Sequence, residues 1–304
     1  MVKITIDGIE TDVNPGTTIL DAARQINPET APPAMCYHSK LANSGGKCRT
    51  CLVKVTKTSP SNPRPMPKLV PACRTIVEDG MEVENNRSEE VVDARKGVVE
   101  LLLINHPLDC PICDQAGECD LQNLAFEHGV ETTHYEEGRR QYPSKSIGDL
   151  IQLHMNRCIL CFRCVYVADQ LTDGRHHGVL NRGDASEIGT YIEAAVDNDF
   201  SGNMIDVCPV GALTDKTFRF RSRVWFSKPM AAHRHCDTCC GKAILWLKGN
   251  EILRITGRRN GVGEVTEFIC NRCRFESKSL HLWEVEGPAA IDRHSVIAQN
   301  HYTQ

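Results

Sequence analysis

The chain has 304 residues and a formal net charge of −4, and 41% of its residues are hydrophobic. This length fits two to four domains. The slightly acidic balance argues against a strongly basic nucleic-acid-binding protein. No stretch approaches roughly 18 consecutive apolar residues, so we expect that the chain does not span a membrane by itself.

The unusual number is sixteen cysteines. Cysteines at this density serve either as disulfides in a secreted protein or as metal ligands in a reducing compartment. Residues 1–8 lack the apolar core of a signal peptide, and the cysteines fall into clusters with two-residue gaps. Both features favour a cytosolic metalloprotein.

The first 80 or so residues alternate between strand and helix patterns, so they predict a small α+β unit. The predicted elements, in chain order, are a hairpin over residues 3–13 that turns at Asp7-Gly8, a helix from Ile19 to Ile26 capped by Thr17 or Thr18, a strand at Leu52–Val55, an irregular loop with five prolines from Pro60 to Pro71, and a strand at Thr75–Val77.

The rest of the chain predicts two helices, a connecting loop, and two further units. In order, these are an amphipathic helix from Ser88 to Ile104, a helix from Asp120 to Glu127, a loop over 129–150, a unit over 151–222, a link over 223–228, and a unit over about 230–285 that contains a hairpin of Ala243–Lys248 and Glu251–Ile255 around Gly249-Asn250. The residues after Leu282 show no clear pattern.

The first cysteine group is Cys36, Cys48, Cys51 and Cys73. The glycines Gly45 and Gly46 precede Cys48, and they allow backbone N–H groups to approach inorganic sulfide. Four thiolates on a loop-rich sheet fit a [2Fe-2S] cluster. A zinc site is the alternative.

The second group is His106, Cys110, Cys113 and Cys119. A lone histidine after a helix is usually a C-terminal cap. Three neighbouring cysteines that lack a fourth thiol make His106 the expected fourth ligand of a four-coordinate metal centre. A neutral imidazole lowers the negative charge around the cluster relative to a fourth thiolate.

The third group is Cys158, Cys161 and Cys164, followed at a distance by Cys208. Three cysteines at two-residue gaps follow the bacterial ferredoxin pattern for a [4Fe-4S] cube. The chain has no second such run, so Cys208 most simply closes the same cube. Pro209 matches the Cys-Pro ending of that pattern.

The fourth group is Cys236, Cys239, Cys240, Cys270 and Cys273. Two CxxC pairs flank a predicted hairpin, which is also the spacing of zinc ribbons. The ligands expected here are Cys236, Cys239, Cys270 and Cys273, with Cys240 as a candidate substitute. At this point either a third [4Fe-4S] cluster or Zn²⁺ fits the residues.

The order of these groups resembles the large iron–sulfur subunit of respiratory complex I, the NADH:quinone oxidoreductase, over about residues 1–285. The segment from His106 to Cys119 and the long gap between Cys164 and Cys208 carry the resemblance. It implies an α+β multidomain fold: a β-grasp [2Fe-2S] ferredoxin-type domain at 1–82, a helical domain at 83–125 whose [4Fe-4S] cluster has one histidine and three cysteine ligands, a [4Fe-4S] ferredoxin-like domain at 145–222, a small β-rich Fe4S4-type domain at 229–285, and a tail at 286–304.

The fourth group resembles the small Fe4S4 domain that opens molybdopterin oxidoreductases. That family has a cysteine at the position of Ala243, whereas Cys240 and Cys273 are additional. The cluster there is therefore re-ligated, replaced by zinc, or absent. The large pterin-like domain that usually follows is not in the sequence, so we expect a short form of the family.

The resemblance also implies a function and partners. Electrons from NADH would pass from FMN on a partner flavoprotein along these clusters toward quinone, while the whole complex translocates protons. The chain itself is expected to bind neither NADH nor quinone. Its implied partners are that flavoprotein, a thioredoxin-like [2Fe-2S] subunit and other peripheral-arm subunits. The implied location is peripheral, on the cytoplasmic side of the bacterial inner membrane, with membrane contact only through the complex.

Two other functions remain open at this point. One is a diaphorase-type electron-transfer subunit of an NAD-linked hydrogenase or formate dehydrogenase, and the other is a zinc-stabilised binding module without a redox role. The pair His176 and His177 is expected to lie in a polar loop. The basic residues Lys216, Arg219, Arg221, Arg223 and Lys228 are expected to form an exposed linker face or a subunit contact, with no nucleic-acid partner.

Overall fold

The computed structural model describes residues 1–143, 145–172, 176–191 and 196–289. Contacts between Cα atoms divide the chain into two units. The first contains Met1–Tyr37, Gly45–Ile104 and Leu124–Glu136, and the second contains His38–Ser44, Asn105–Asn123 and the described residues from Glu137 onward.

The first unit is a five-stranded sheet with helices. Its elements are β1 (Val2–Ile6), β2 (Ile9–Val13), α1 (Ile19–Ile26), β3 (Leu52–Lys57), β4 (Val70–Pro71), β5 (Met81–Glu84) and α2 (Glu89–Leu103). The strand order is β2-β1-β5-β3-β4, in which β1 and β5 are parallel and the other neighbours are antiparallel.

Local sequence explains most of this unit. Asp7 and Gly8 take positive φ angles of 49° and 84° in the predicted hairpin turn. Thr18 accepts a hydrogen bond from the Asp21 N–H and so caps α1, as predicted. Alternate residues of β1 and β5 are buried, and they face α1 across one apolar core.

Two predictions for this unit were wrong: a strand at Thr75–Val77, and an irregular structure for the whole proline-rich loop. Thr75–Val77 is not a strand, since Ile76 forms only an isolated bridge with Thr18. The central strand is instead β5, a four-residue segment with only two buried side chains, Met81 and Val83. Val70 and Pro71, at the end of the proline-rich loop, form β4 against β3, because an edge position does not require an N–H from Pro71.

The second unit contains three small sheets and short helices. After α2, the described residues form α3 (Asp120–His128), which begins in the second unit and ends in the first, and then β6 (Lys145–Ser146), β7 (Ile151–Leu153), α4 (Arg163–Leu171), β8 (His177–Leu180), β9 (Glu187–Thr190), α5 (Asn203–Val207), β10 (Leu213–Asp215), β11 (Lys228–His233), β12 (Lys242–Lys248), β13 (Glu251–Gly257) and β14 (Glu284–Pro288). The sheet orders are β10-β7-β6, β8-β9 and β13-β12-β11-β14.

The β12–β13 hairpin around Gly249-Asn250 confirms the sequence prediction. The expectation of no pattern after Leu282 was wrong, because β14 pairs with β11 and forms an edge of that sheet. The last fifteen residues, 290–304, lie outside the described residues. Within the described ranges, no helix is both long and apolar enough to cross a membrane.

Candidate metal centres

All sixteen cysteines fall within the described residues, and each is a free thiol. This finding removes the disulfide alternative for the structure as described. Of the four predicted groups, the first lies in the first unit and the other three lie in the second.

The first group lies in the first unit, around the loop that leads to Cys48. Cys36, Cys48, Cys51 and Cys73 are all buried. The Lys47 and Cys48 N–H groups donate to the Cys36 sulfur at 3.2 and 3.3 Å. The Gly46 N–H donates to the Cys73 sulfur at 3.2 Å.

Glycine is required where this loop passes closest to the sulfurs. Gly45 has a φ of +102°, and a Cβ atom there would lie 3.2 Å from Cys73 Sγ. Contact with Cys36 and burial raise the pKa of the Cys48 thiol well above its ordinary value. These buried thiols are costly to ionise without a cation. Four such thiols with N–H donors around them fit a [2Fe-2S] cluster.

Helix α2 holds this loop through Arg95, a residue that was not predicted from the sequence. Arg95 is 1% exposed, and its Nε donates to the Thr50 carbonyl, between Cys48 and Cys51, at 3.3 Å. Its other guanidinium nitrogens bond Asn85 and Asn86 at 2.7 and 3.0 Å. Arg95 is a charged residue at a helical position that should face the core, and that conflict could have identified it from the sequence.

The second group lies just after α2, in the second unit. Cys113 and Cys119 are buried, and Cys110 is partly exposed. Burial raises the pKa of the Cys113 thiol, although the Gln115 N–H and the nearby Arg157 oppose the shift. Burial also raises the pKa of the Cys119 thiol. These thiols ionise only if a cation compensates the charge.

His106 has the properties of a neutral nitrogen ligand. Burial lowers its pKa from 6.5 to about 4, so the imidazole is uncharged at neutral pH. Its Nδ1 is buried and has no hydrogen-bond partner among the described residues. A buried, unsatisfied ring nitrogen in this segment fits a metal ligand better than a helix cap.

Two partly buried ion pairs hold the second group, and neither was predicted from the sequence. Arg157 donates to Asp109 Oδ2 through Nε at 3.0 Å and through Nη2 at 2.5 Å. Arg254 bonds both carboxylate oxygens of Glu118, next to Cys119, at 2.6 and 2.7 Å. Asp109 and Glu118 each sit inside the ligand segment, so these pairs fix its two ends.

The third group lines a small, mostly apolar cavity. Cys158, Cys161, Cys164 and Cys208 contribute four thiols to its wall, and apolar side chains such as Leu153 complete it. Burial raises the pKa of Cys158, Cys164 and Cys208. The N–H groups of Val210, Ala212 and Leu213 point at the Cys208 sulfur and partly oppose that shift.

The backbone between these cysteines is strained. Leu160 and Phe162 have φ angles of 53° and 66°, a region that residues other than glycine rarely adopt. The turn directs the Leu160 N–H to the Cys158 sulfur at 3.4 Å. An apolar cavity walled by four thiols and N–H donors fits a [4Fe-4S] cube.

The fourth group differs in geometry from the other three. Cys236, Cys239, Cys270 and Cys273 place their sulfurs all within 4.8 Å of one another, and no other set of three or more His, Cys, Asp or Glu ligand atoms among the described residues does so. Cys240 is exposed, and its sulfur points at the Phe268 carbonyl, 3.9 Å away. The candidate substitute ligand therefore lies outside the set.

The two remaining predictions have mixed outcomes. His176 is exposed, as a polar loop predicts, but His177 is 2% exposed at the start of β8. The neighbouring residues 173–175 lie outside the described ranges. Arg223, from the predicted basic face, donates to the Cys113 carbonyl at 2.7 Å and so supports the second group.

Three family models match the chain. They are a 2Fe-2S iron-sulfur cluster binding domain at residues 1–88, an NADH-ubiquinone oxidoreductase-G iron-sulfur binding region at 95–134, and a ferredoxin-like domain of NADH-quinone oxidoreductase subunit 3 at 148–214. The fold and the sites thus define an iron–sulfur protein with several centres and with both 2Fe-2S and 4Fe-4S binding regions.

Curated relatives give the family. The G subunit of the NADH-quinone oxidoreductase of Rickettsia felis is 39% identical over 95% of the chain. The NADH-ubiquinone oxidoreductase 75 kDa subunit of Reclinomonas americana is 41% identical over 95% of it. The chain belongs to this family, and it spans about two fifths of the length of these relatives, 41% and 40%.

A solved structure is similar as well. A chain of an NAD⁺-reducing [NiFe]-hydrogenase, crystallised in its H2-reduced state, is 27% identical and superposes with a TM-score of 0.63. The match covers 73% of this chain and 91% of the hydrogenase chain.

Proposed function

We propose that the chain is the iron–sulfur electron-transfer subunit of an NADH:quinone oxidoreductase. One observation carries this proposal: each of the first three ligand sets falls inside its own matched family region, in the order of the family. Those sets are Cys36 to Cys73 within 1–88, His106 to Cys119 within 95–134, and Cys158 to Cys208 within 148–214.

The proposed ligands are those that the sequence predicts. One [2Fe-2S] cluster is held by Cys36, Cys48, Cys51 and Cys73, one [4Fe-4S] cluster by His106, Cys110, Cys113 and Cys119, and another by Cys158, Cys161, Cys164 and Cys208. Bound clusters of these types supply one-electron transfer.

The chain's own residues set the conditions for that transfer. N–H donors on the sulfurs of Cys36, Cys73 and Cys158 stabilise negative charge there, and hydrogen bonds to sulfur raise reduction potentials. The neutral His106 leaves the second centre one negative charge less than a fourth thiolate would. Apolar side chains such as Leu153 line the cavity of the third centre and limit its contact with water.

The proposed setting is a peripheral arm on the cytoplasmic side of the membrane. Partners there would be a flavoprotein that binds NADH and FMN and a thioredoxin-like [2Fe-2S] subunit. The proton-translocating step belongs to the whole complex. In this proposal the chain binds neither NADH nor quinone and positions the electron carriers between them.

Co-purification tests the assignment. A tagged full-length chain should bring down the NADH- and FMN-binding subunit together with integral membrane subunits. NADH added to that assembly should bleach the chain's iron–sulfur absorbance, and a quinone should restore it. Recovery without any membrane subunit would contradict the proposal.

The hydrogenase match supports a second candidate, the electron-transfer subunit of a soluble NAD-linked hydrogenase. The same experiment separates the two. Co-purification with nickel-containing subunits, and reduction of the chain by H2 in place of a membrane partner, would favour this function.

A further inference from the structure

The fourth cysteine group is built from two CxxC turns. Cys236 and Cys239 follow β11, and Cys270 and Cys273 lie at the start of the π-helical turn Arg272–Glu276. Between the first pair and β12, Gly241 has a φ of +64°, and a Cβ atom there would lie 2.0 Å from the Arg234 carbonyl oxygen. The sequence therefore needs glycine to close the first turn.

Backbone N–H groups in both turns point at the sulfurs. The Thr238 and Cys239 N–H groups point at the Cys236 sulfur. The Gly241 N–H donates to the Cys239 sulfur at 3.4 Å. The Cys273 N–H points at the Cys270 sulfur. Both turns therefore carry N–H donors that stabilise thiolates.

The distances between the sulfurs identify the kind of centre. Cys236 Sγ lies 3.7 Å from Cys270 Sγ, and Cys239 Sγ lies 3.7 Å from Cys273 Sγ. Four thiolates about 2.3 Å from one zinc ion, at the corners of a tetrahedron, are about 3.8 Å apart. In a [4Fe-4S] cube each thiolate binds a different iron, so the sulfurs lie farther apart than around a single ion.

The ligand expected from the Fe4S4-type family is also missing. Its position is occupied by Ala243, which is fully buried in β12 and pairs with Ala232 of β11. Cys273 supplies the fourth thiol instead, within the same apolar cluster that contains Ala243, Ile269 and Trp283. The fourth set therefore fits a single ion and does not fit the cube.

We propose that Cys236, Cys239, Cys270 and Cys273 bind one Zn²⁺ ion, which joins the two turns beneath the β11–β14 sheet. Zn²⁺ has no redox chemistry in proteins, so this centre is structural and electrons do not pass through it. The inference is independent of the proposed function, since it concerns a site outside the three proposed clusters.

Metal analysis of the full-length chain, produced anaerobically with iron and zinc both supplied, tests the proposal. About one zinc per chain is expected, with a zinc-edge X-ray absorption spectrum that shows four sulfurs at about 2.3 Å. Absence of zinc, or nitrogen and oxygen ligands around it, would overturn the proposal. So would about four additional iron atoms beyond those of the three proposed clusters.

Variants locate the ion. Cys239→Ser and Cys273→Ser should each lose the zinc and keep the iron of the three clusters. Cys240→Ser is the matched control, since its sulfur lies outside the set, and it should keep both metals. Zinc retained in Cys239→Ser and Cys273→Ser would overturn the assignment, and so would zinc lost in Cys240→Ser. Because the absorption spectrum uses the unmodified chain, the test stands even if a variant fails to fold.

Discussion

Gly211 lies directly against Cys113, so that a Cβ atom on Gly211 would be 2.1 Å from Cys113 Sγ. Gly211 follows Cys208 and Pro209, and Cys113 belongs to the second ligand group. The segment that closes the third centre therefore packs against a sulfur of the second. Only a residue without a side chain permits this approach.

Gly211→Ala should therefore displace the Cys113 sulfur and deplete the second centre. The expected result is a loss of up to about four iron per chain, with the [2Fe-2S] signal unchanged. Iron analysis and electron paramagnetic resonance (EPR) of the reduced protein measure it. Gly261→Ala is the control, because nothing lies within 4 Å of a Cβ atom there. Equal iron in both variants would refute the packing argument.

The ion pair of Arg254 and Glu118 should matter more than exposed pairs. Both side chains are nearly buried, at 10% and 14% exposure, and the guanidinium lies 4.1 Å from the Trp246 ring centroid. Arg254→Gln leaves a buried carboxylate without its partner, which costs about 3–5 kcal/mol of unfolding free energy. Thermal and denaturant unfolding measure the change.

Arg221→Gln provides the comparison for that variant. Arg221 pairs with Glu251, but both side chains are exposed, so the loss should be below about 1 kcal/mol. A similar loss in both variants would show that burial does not determine the strength of these pairs.

His106 should be replaceable by another ligand but not by an apolar residue. His106→Ala should lose the iron of the second centre, whereas His106→Cys should retain it with a lower reduction potential, because a thiolate adds negative charge. An EPR-monitored redox titration measures both. His281→Ala, at an exposed histidine, is the control and should change neither iron content nor potential. Full iron and an unchanged potential in His106→Ala would exclude His106 as a ligand.

His177 should make stability depend on pH. Burial lowers its pKa from 6.5 to about 4, and neither ring nitrogen has a partner among the described residues. Between those two values the unfolded state binds more protons, so stability falls as pH drops. The loss from pH 7 to pH 5 should be about 2 kcal/mol.

His177→Leu should remove that part of the pH dependence. Comparing unfolding of the variant and the parent chain at pH 7 and pH 5 isolates the contribution of His177 from those of other histidines. If the difference between the two proteins is the same at both pH values, the buried neutral imidazole is not the cause.

The ligand predictions rest on the spacing between cysteines. Ligand sets such as Cys158 to Cys164 are local in sequence, since a CxxCxxC run wraps one corner of a cluster whatever surrounds it. The β12–β13 hairpin was predictable for the same reason. Its turn at Gly249-Asn250 and the pattern of apolar residues in its strands are both local in sequence.

What the sequence did not reveal depends on contacts distant along the chain. β5 is four residues long and becomes a central strand only through pairing with β1 and β3. Arg254 reaches Glu118 across 136 residues, and Gly211 reaches Cys113 across about a hundred. The proposal of zinc and not a cube at Cys236 to Cys273 likewise rests on sulfur–sulfur distances that spacing does not encode.

The central claim is that three iron–sulfur clusters occupy the first three ligand sets. The most direct test is iron and acid-labile sulfide per chain in anaerobically purified full-length protein, combined with EPR spin integration after reduction. The account predicts about ten iron and about ten sulfide, with one [2Fe-2S] and two [4Fe-4S] signals. A colourless protein that contains zinc but no labile sulfide would contradict it.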